Sequence, residues 1–364
     1  MAADRRPERL EGLRKKLRDG GLDALIVTSL PNIRYLTGFS GSSALVAVTD
    51  AAVLFLSDFR YRSQAATEVG DLARIQIESG GLWERLFKLL AEFPAVRQVG
   101  YEGQHLTARE AERLADSSRP WKFKSTVELV ETLRAIKSPE EIEAIRCAGS
   151  VATLALEMLA SQVRPGMIEY EVAGVLEGAL RRGGSEWYAF PTIVASGPRS
   201  ALPHARTSDR VVAPGDFLLL DFGAVVDGYC SDITRTFVVG AAPTPEQRDV
   251  YGLVMNAQRA ALDGLRAGIT GRQGDALARE VIEAAGQGEA FGHSLGHGVG
   301  LEVHEAPRLA KTAEERLGEG AVVTVEPGIY LEGWGGVRIE DDVVLRASGA
   351  ELLTEYDREL VRLG

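Results

Sequence analysis

Phe291-Gly-His-Ser-Leu-Gly-His-Gly-Val-Gly-Leu-Glu-Val-His-Glu-Ala-Pro307 holds three of the chain's five histidines, His293, His297 and His304, in a stretch laced with glycine. Glycine lets a backbone come close to whatever the imidazoles address, and histidine is both a proton carrier and a metal ligand near neutral pH. The zinc motif His-Glu-x-x-His on a helix does not fit, because Ser294 follows His293 and Gly296, Gly298 and Gly300 argue against a helix. The stretch therefore reads as a functional segment of irregular backbone, and the partners it needs must come from elsewhere in the chain.

Four acids close apolar runs. Asp221 ends Leu218-Leu-Leu-Asp221, Asp232 sits in Gly228-Tyr-Cys-Ser-Asp-Ile-Thr-Arg-Thr236, Glu326 ends Val322-Val-Thr-Val-Glu326, and Glu340 closes Gly336-Val-Arg-Ile-Glu340. Such a carboxylate is costly unless it is paired, hydrogen-bonded or bound to metal. The turn Val226-Asp-Gly228 would set Asp221 and Asp232 on neighbouring strands of a hairpin. Four carboxylates and a histidine are hard ligands, and two divalent ions are the natural way to neutralise them. A pair of ions about 3.5–4 Å apart activates water against a carbonyl, which makes this an amide-hydrolase site on paper. Mn²⁺ is the expected metal, with Co²⁺ or Zn²⁺ as alternatives; a structural zinc is disfavoured because no second soft ligand joins Cys230.

The acids fall in a repeated frame. Ser138-Pro-Glu-Glu141 and Thr244-Pro-Glu-Gln247 are matching helix starts, each with a capping residue, a proline in the first turn and a Glu or Gln at the third position. Ile142, Ile145, Val151, Leu154, Met158 and Leu159 mark one face of the first long helix. Arg164-Pro-Gly-Met-Ile168, with a helix to Gly183, is echoed by Arg266-Ala-Gly-Ile-Thr270, with a helix to Gly286. Each copy continues into β-rich sequence, at 192–196 and 217–221 in the first and at 322–325 and 337–339 in the second. Two αα-ββ halves sharing a sheet are predicted, with a site where the halves meet. Upstream, a helix over 7–20, strands in 23–28, 44–48 and 52–56, and helical spacing in 82–93 and 107–114 predict an α/β domain. The division expected is an α/β domain over 1–128 and a duplicated α+β domain over 129–364. Gly38-Phe-Ser-Gly-Ser-Ser43 lacks the Lys-Ser/Thr of a phosphate loop and reads as a plain connection.

Composition narrows the function class. A chain of 364 residues with 45% hydrophobic residues suits two cores. A net charge of -11 disfavours nucleic acid, which needs a basic face. Cys147 and Cys230, both in runs that read as buried, make no disulfide framework and suit a reducing compartment. No apolar run reaches the roughly 18 residues of a membrane span, and the charged start Met1-Ala-Ala-Asp-Arg-Arg-Pro7 has no leader-like apolar core. The expectation is a cytoplasmic enzyme with neither nucleic acid nor membrane as partner.

In chain order, Asp221, Asp232, His297, Glu326 and Glu340 resemble the five ligands of the pita-bread metallopeptidases, the family of methionine aminopeptidase, aminopeptidase P and prolidase. The surrounding motifs Asp-Phe-Gly-Ala, Ser-Asp-Ile-Thr-Arg-Thr, Gly-His-Gly-Val-Gly-Leu-Glu-Val-His-Glu-Ala-Pro, Val-Glu-Pro-Gly-Ile-Tyr and Gly-Val-Arg-Ile-Glu-Asp occur in the family's order, and the resemblance covers nearly the whole chain. It implies the creatinase/aminopeptidase pita-bread fold for the duplicated domain. It also implies that Asp221 is terminal on one ion, that His297 and Glu326 are terminal on the other, and that Asp232 and Glu340 bridge both. By the same resemblance His304 is the catalytic histidine that hydrogen-bonds the substrate carbonyl, and Glu326 takes a proton from the attacking water. His293 would hold the residue after the scissile bond, His204 would line the substrate pocket, and Arg338 would hold a ligand carboxylate.

Asn32-Ile-Arg-Tyr-Leu-Thr-Gly-Phe39 and Ser57-Asp-Phe-Arg-Tyr-Arg62 resemble the extra N-terminal domain of the proline-specific branch, which commonly covers the active site and joins a homodimer. The implied substrates are small peptides with proline in second position. An Xaa-Pro aminopeptidase is the first expectation, on the wording of Ser200-Ala-Leu-Pro-His204 and Gly228-Tyr-Cys-Ser-Asp232. A prolidase is the alternative, and a non-enzymatic peptide-binding module on the same fold a remote third. A dipeptidase needs a cation to fix the free carboxylate after proline; an aminopeptidase needs an open path.

Overall fold

The computed structural model describes residues 4–115 and 118–364. Its contacts divide the chain into two compact units, Met1–Arg134 and Ala135–Gly364. The division falls a little beyond residue 128, because Arg134 donates to the side-chain oxygen of Asn32 at 2.8 Å and so stays with the first unit.

The first unit runs α1 (Arg6–Asp19), β1 (Ala24–Val27), α2 (Leu30–Thr37), β2 (Ala44–Thr49), β3 (Val53–Asp58), α3 (Arg62–Glu68), β4 (Arg74–Glu78), α4 (Leu82–Leu90), β5 (Gln98–Glu102), α5 (Ala108–Leu114), β6 (Lys122–Thr126) and α6 (Glu131–Arg134). Its sheet has the order β4-β3-β2-β1-β5-β6. All four residues of β1 are buried, as suits a central strand covered on both faces. Trp83, Phe87 and Leu90 on α4 pack with Trp121 in the core. The helix α2 is a finding beyond the sequence reading: proline in its first turn needs no N–H there, and Gly38 ends it in the left-handed region at φ 81°. Inside this unit Glu102 accepts from the backbone N–H groups of Thr28 and Ser29 at 2.6 and 2.8 Å and from the Asn32 amide at 2.6 Å.

The second unit runs α7 (Pro139–Ala160), α8 (Glu169–Arg182), β7 (Ile193–Ser196), β8 (Phe217–Phe222), β9 (Val225–Val226), β10 (Tyr229–Cys230), β11 (Ile233–Val239), α9 (Pro245–Gly264), α10 (Gly271–Ala284), β12 (Gly296–Gly298), β13 (Glu305–Leu309), β14 (Val322–Val325), β15 (Gly328–Leu331), β16 (Gly335–Arg338), β17 (Asp341–Arg346), β18 (Gly349–Leu352) and β19 (Arg362–Leu363). Both expected capping boxes form, at Ser138 with Glu141 and at Thr244 with Gln247. The helices α7 and α8 pack with the sheet β19-β11-β8-β7, and α9 and α10 with β13-β12-β14-β17-β18, each half around its own apolar core. This is the duplicated α+β pita-bread architecture. The two sheets are not one continuous ladder, however; they meet at the isolated antiparallel bridge between Thr234 and Glu340.

Two details of α7 correct the sequence reading. Its buried face runs through Ile142, Ile145, Ala148, Gly149, Ala152, Leu156 and Leu159, while Leu154 and Met158 are exposed. Small residues define this face because the chain at Leu353 comes so close that a Cβ on Gly149 would lie 2.6 Å from its carbonyl oxygen. Cys147, expected to be buried, points away from that face and is exposed; Cys230 is buried. Among the described residues no helix is long and apolar enough to cross a membrane.

Candidate metal centre

The antiparallel pairing of β8 with β11 sets Asp221 opposite Thr234, and Asp232 stands at the entry to β11. The second half repeats the arrangement. There β14 pairs antiparallel with β17, Glu326 leaves β14, and Glu340 enters β17. The Thr234–Glu340 bridge brings the two pairs of acids together, and Thr234 Oγ1 donates to Glu340 Oε2 at 2.5 Å. His297 occupies the middle of β12. A Cβ on Gly296 would overlap the carbonyl of Thr324, and one on Gly298 the carbonyl of Ala306, so glycine on both sides is what lets the chain close around this imidazole. His297 Nε2 lies 3.4 Å from Glu326 Oε1 and 3.8 Å from Asp232 Oδ2. One ligand atom each from Asp232, His297 and Glu340 lie within 4.8 Å of one another.

The electrostatics of this cluster favour added positive charge. Burial raises the carboxyl groups of Asp232 and Glu326 well above the usual range and that of Glu340 to about 8, and their mutual repulsion adds to the effect. Asp221 is raised by burial too, against the opposing pull of the Arg338 guanidinium bonded to it. The buried Oδ1 of Asp232 accepts no hydrogen bond, and an idle carboxylate oxygen in a protein interior marks a missing partner. His297 Nδ1 faces the Gly298 carbonyl at 3.1 Å. A carbonyl only accepts, so Nδ1 carries the hydrogen and Nε2 turns its lone pair toward Glu326 and Asp232, the tautomer a metal ligand needs. Burial holds this ring neutral, with its pKa down to about 4. Asp221, Asp232, His297, Glu326 and Glu340 together fit divalent cations bound through oxygen and imidazole nitrogen.

Several supporting residues escaped the sequence reading. Asp342 Oδ2 accepts from the backbone N–H of Asp232 at 2.8 Å, and Arg235 donates to the Glu340 carbonyl at 2.6 Å and to Asp341 at 2.7 Å. Arg338, singled out from sequence, reaches Asp221, Thr234 at 3.0 Å and Tyr330 Oη at 2.7 Å. Tyr330 lies inside Val-Glu-Pro-Gly-Ile-Tyr, and its place two alternations beyond Glu326 was the signal available.

The other histidines surround the cluster. His304 immediately precedes β13, and its ring meets that of His297 edge-on at 4.3 Å between centroids. Partial burial, and then the Arg308 guanidinium, lower its pKa. His293 Nε2 is 2.9 Å from Tyr330 Oη, and its Nδ1 is 2.8 Å from the Ser294 carbonyl. Since Arg338 donates to that hydroxyl, the hydroxyl donates to Nε2, and Nδ1–H goes to Ser294. Both ring nitrogens of His293 are thus engaged within the protein, and burial holds the ring neutral with a pKa of about 4. His204 is exposed; it follows Pro203, whose carbonyl accepts from Arg338 at 3.3 Å, which brings it to the side of the cluster where Asp221 lies. A cleft of about 1280 Å³ opens from His293 and Tyr330 past Phe291, Arg279 and Lys311. Arg308, opposite His297 in the β12–β13 pairing, is exposed, and its side chain has no hydrogen bond or ion pair among the described residues.

Residues 143–347 match the family model of metallopeptidase family M24, and residues 9–136 match that of the creatinase/prolidase N-terminal domain. An Xaa-Pro dipeptidase of Pyrococcus furiosus is 38% identical over 97% of this chain and 99% of its own. The structure of an Xaa-Pro dipeptidase from Bacillus anthracis superposes with a TM-score of 0.94 at 41% identity, covering 98% of this chain and 100% of that one. That of an X-Pro aminopeptidase from Thermotoga maritima does so with a TM-score of 0.90 at 38% identity, covering 97% and 99%.

Proposed function

We propose, because this chain belongs to metallopeptidase family M24, that it is an Xaa-Pro dipeptidase that cleaves the bond before proline in small peptides. Sequence alone favoured the aminopeptidase; relatives described as Xaa-Pro dipeptidases support the alternative. The observation that carries this choice is Arg308, an unpaired cation beside His297 and His304 that suits the free carboxylate of a dipeptide.

Two divalent ions, Mn²⁺ first among them, held by Asp221, Asp232, His297, Glu326 and Glu340, would polarise the scissile carbonyl and ready a water for attack near neutral pH. Glu326 accepts the proton of that water and delivers it to the leaving proline nitrogen. His304 donates a hydrogen bond to the carbonyl oxygen as negative charge grows on it. Neutral His293, backed by Tyr330, forms a wall for the proline ring, and His204 closes the same space from the first half. Arg338 keeps Asp221 ionised and oriented.

The test is hydrolysis of Ala-Pro beside Ala-Pro-Ala after the metal is stripped and Mn²⁺ restored, at about two ions per chain. The dipeptide should be the better substrate, and Arg308→Met should raise its KM by about 10–100-fold. A second reading, Xaa-Pro aminopeptidase, draws on the open cleft beside His293 and Tyr330, which would leave a path for a longer peptide. Preferred cleavage of the tripeptide, indifferent to Arg308→Met, would establish it. The homodimer belongs to the same proposal and is checked by sedimentation.

A further inference from the structure

We propose that Asp275 and Arg279 of α10 are positioning residues for His293, fixing the wall against which the proline ring lies. What His293 faces rests on the function proposed above; how it is held does not. Residues 291–295 have neither helix nor strand to hold them. Backbone without a ladder must find its partners in side chains or water.

Here one arginine supplies them. Arg279 Nε and Nη2 grip both oxygens of Asp275 at 2.6 and 2.8 Å, while Nη1 donates to the Phe291 carbonyl at 3.0 Å and Nη2 also to the His293 carbonyl at 2.7 Å. Asp275 Oδ1 accepts from the backbone N–H of Leu295 at 2.9 Å. The guanidinium lies 4.2 Å over the Phe291 ring, whose edge-on neighbour at 5.0 Å is the His293 imidazole. Both ends and the middle of the stretch are therefore tied to one turn of α10. The two side chains are only 7% and 1% exposed, so water does not compete for these bonds. A planar fork is required, since a lysine cannot grip a carboxylate and two carbonyls in fixed directions at once.

The first half contains an analogous device. Glu169, in the first turn of α8 and fully buried, accepts from the N–H and Oγ of Ser196 at 2.8 Å each and from the N–H and Oγ of Ser208 at 3.0 and 2.7 Å. It brackets the segment that carries His204. An acid on the second helix of each half, tying down the segment with a substrate-side histidine, recurs where the site needs it.

The test uses the full chain with Arg279→Lys, His293→Ala and the double variant, assayed on Ala-Pro well below the unfolding transition. Arg279→Lys should lower kcat/KM about 10²-fold with metal content unchanged, and should add nothing in the His293→Ala background. Additive losses, or loss of metal in Arg279→Lys, would overturn the proposal. Imidazole ¹⁵N spectra of the five histidines, taken with diamagnetic Zn²⁺, give a reading independent of substrate. Arg279→Lys should shift the His293 signals and leave in place those of His105, which lies in the first unit 3.2 Å from Glu131; unmoved His293 signals would also overturn the proposal. A wild-type protein inactive on every Xaa-Pro peptide would instead count against the proposed function, and the spectra would still decide the positioning role.

Discussion

His304 and Asp232 stand within one cluster yet should fail differently. His304 touches the ring of His297, a proposed ligand, without belonging to the carboxylate set, so His304→Ala should keep its metal and lose about 10²–10⁴-fold in kcat. Asp232 is buried among the acids with one oxygen unmet by any protein donor. Asp232→Asn should lose metal and activity together, as metal analysis beside a peptidase assay will report. In the first unit, Glu102 offers a separate pH test. Burial raises its pKa despite the donors from Ser29 and Asn32, so the folded state binds its proton more tightly than the unfolded chain does. Its contribution to stability is full below the unfolded pKa and is lost as pH rises through the folded one. Denaturant unfolding of this unit, followed by Trp83 and Trp121 fluorescence, should show stability falling from acid toward neutral pH, and Glu102→Gln should flatten that fall.

At the level of elements, β12 is closely held on both sides, by Thr324 and by Ala306. A methyl on Gly298 would overlap the Ala306 carbonyl, so Gly298→Ala must push β13 away and carry His304 with it. About 1–3 kcal/mol of stability should be lost, and Mn²⁺ affinity by isothermal titration should fall at least as clearly, because His297 moves too. Much of the element frame was readable in advance, since caps and hydrophobic period are local signals: Ser138 with Glu141 and Thr244 with Gln247 start helices where expected. The strands beside Asp221, Asp232, Glu326 and Glu340 were equally legible, as apolar runs ending in acid. What escaped depends on distant contacts. The true inner face of α7 is set by its approach to Leu353 and Thr354, which no count of large apolar residues registers. Tyr330 and Asp342 acquire meaning only from neighbours far away in sequence, at His293 and Asp232, and Arg308 only from the strand pairing that sets it opposite His297.

For the molecule as a whole, the metal is a matter of stability as well as chemistry. Occupancy at 100-fold over Kd is worth about 2.7 kcal/mol, which for a unit of this size corresponds to about 5–10 °C in Tm. Chelation should lower the calorimetric transition of Ala135–Gly364 by that much and leave that of Met1–Arg134 in place; a common shift would mean that the units unfold together. The meeting of the halves at Thr234 and Glu340 carries one more consequence, for motion. Where a continuous ladder would hold the two sheets at a fixed stiffness, here the join is made by one bridge and by side chains, Arg235 to Asp341 and Arg338 to Asp221 among them, and the proposed cations would lie across it. The molecule's slow breathing is then governed by ion supply: amide exchange in β11 and β17 should quicken when the metal is scarce, while β2 and β3 keep their pace.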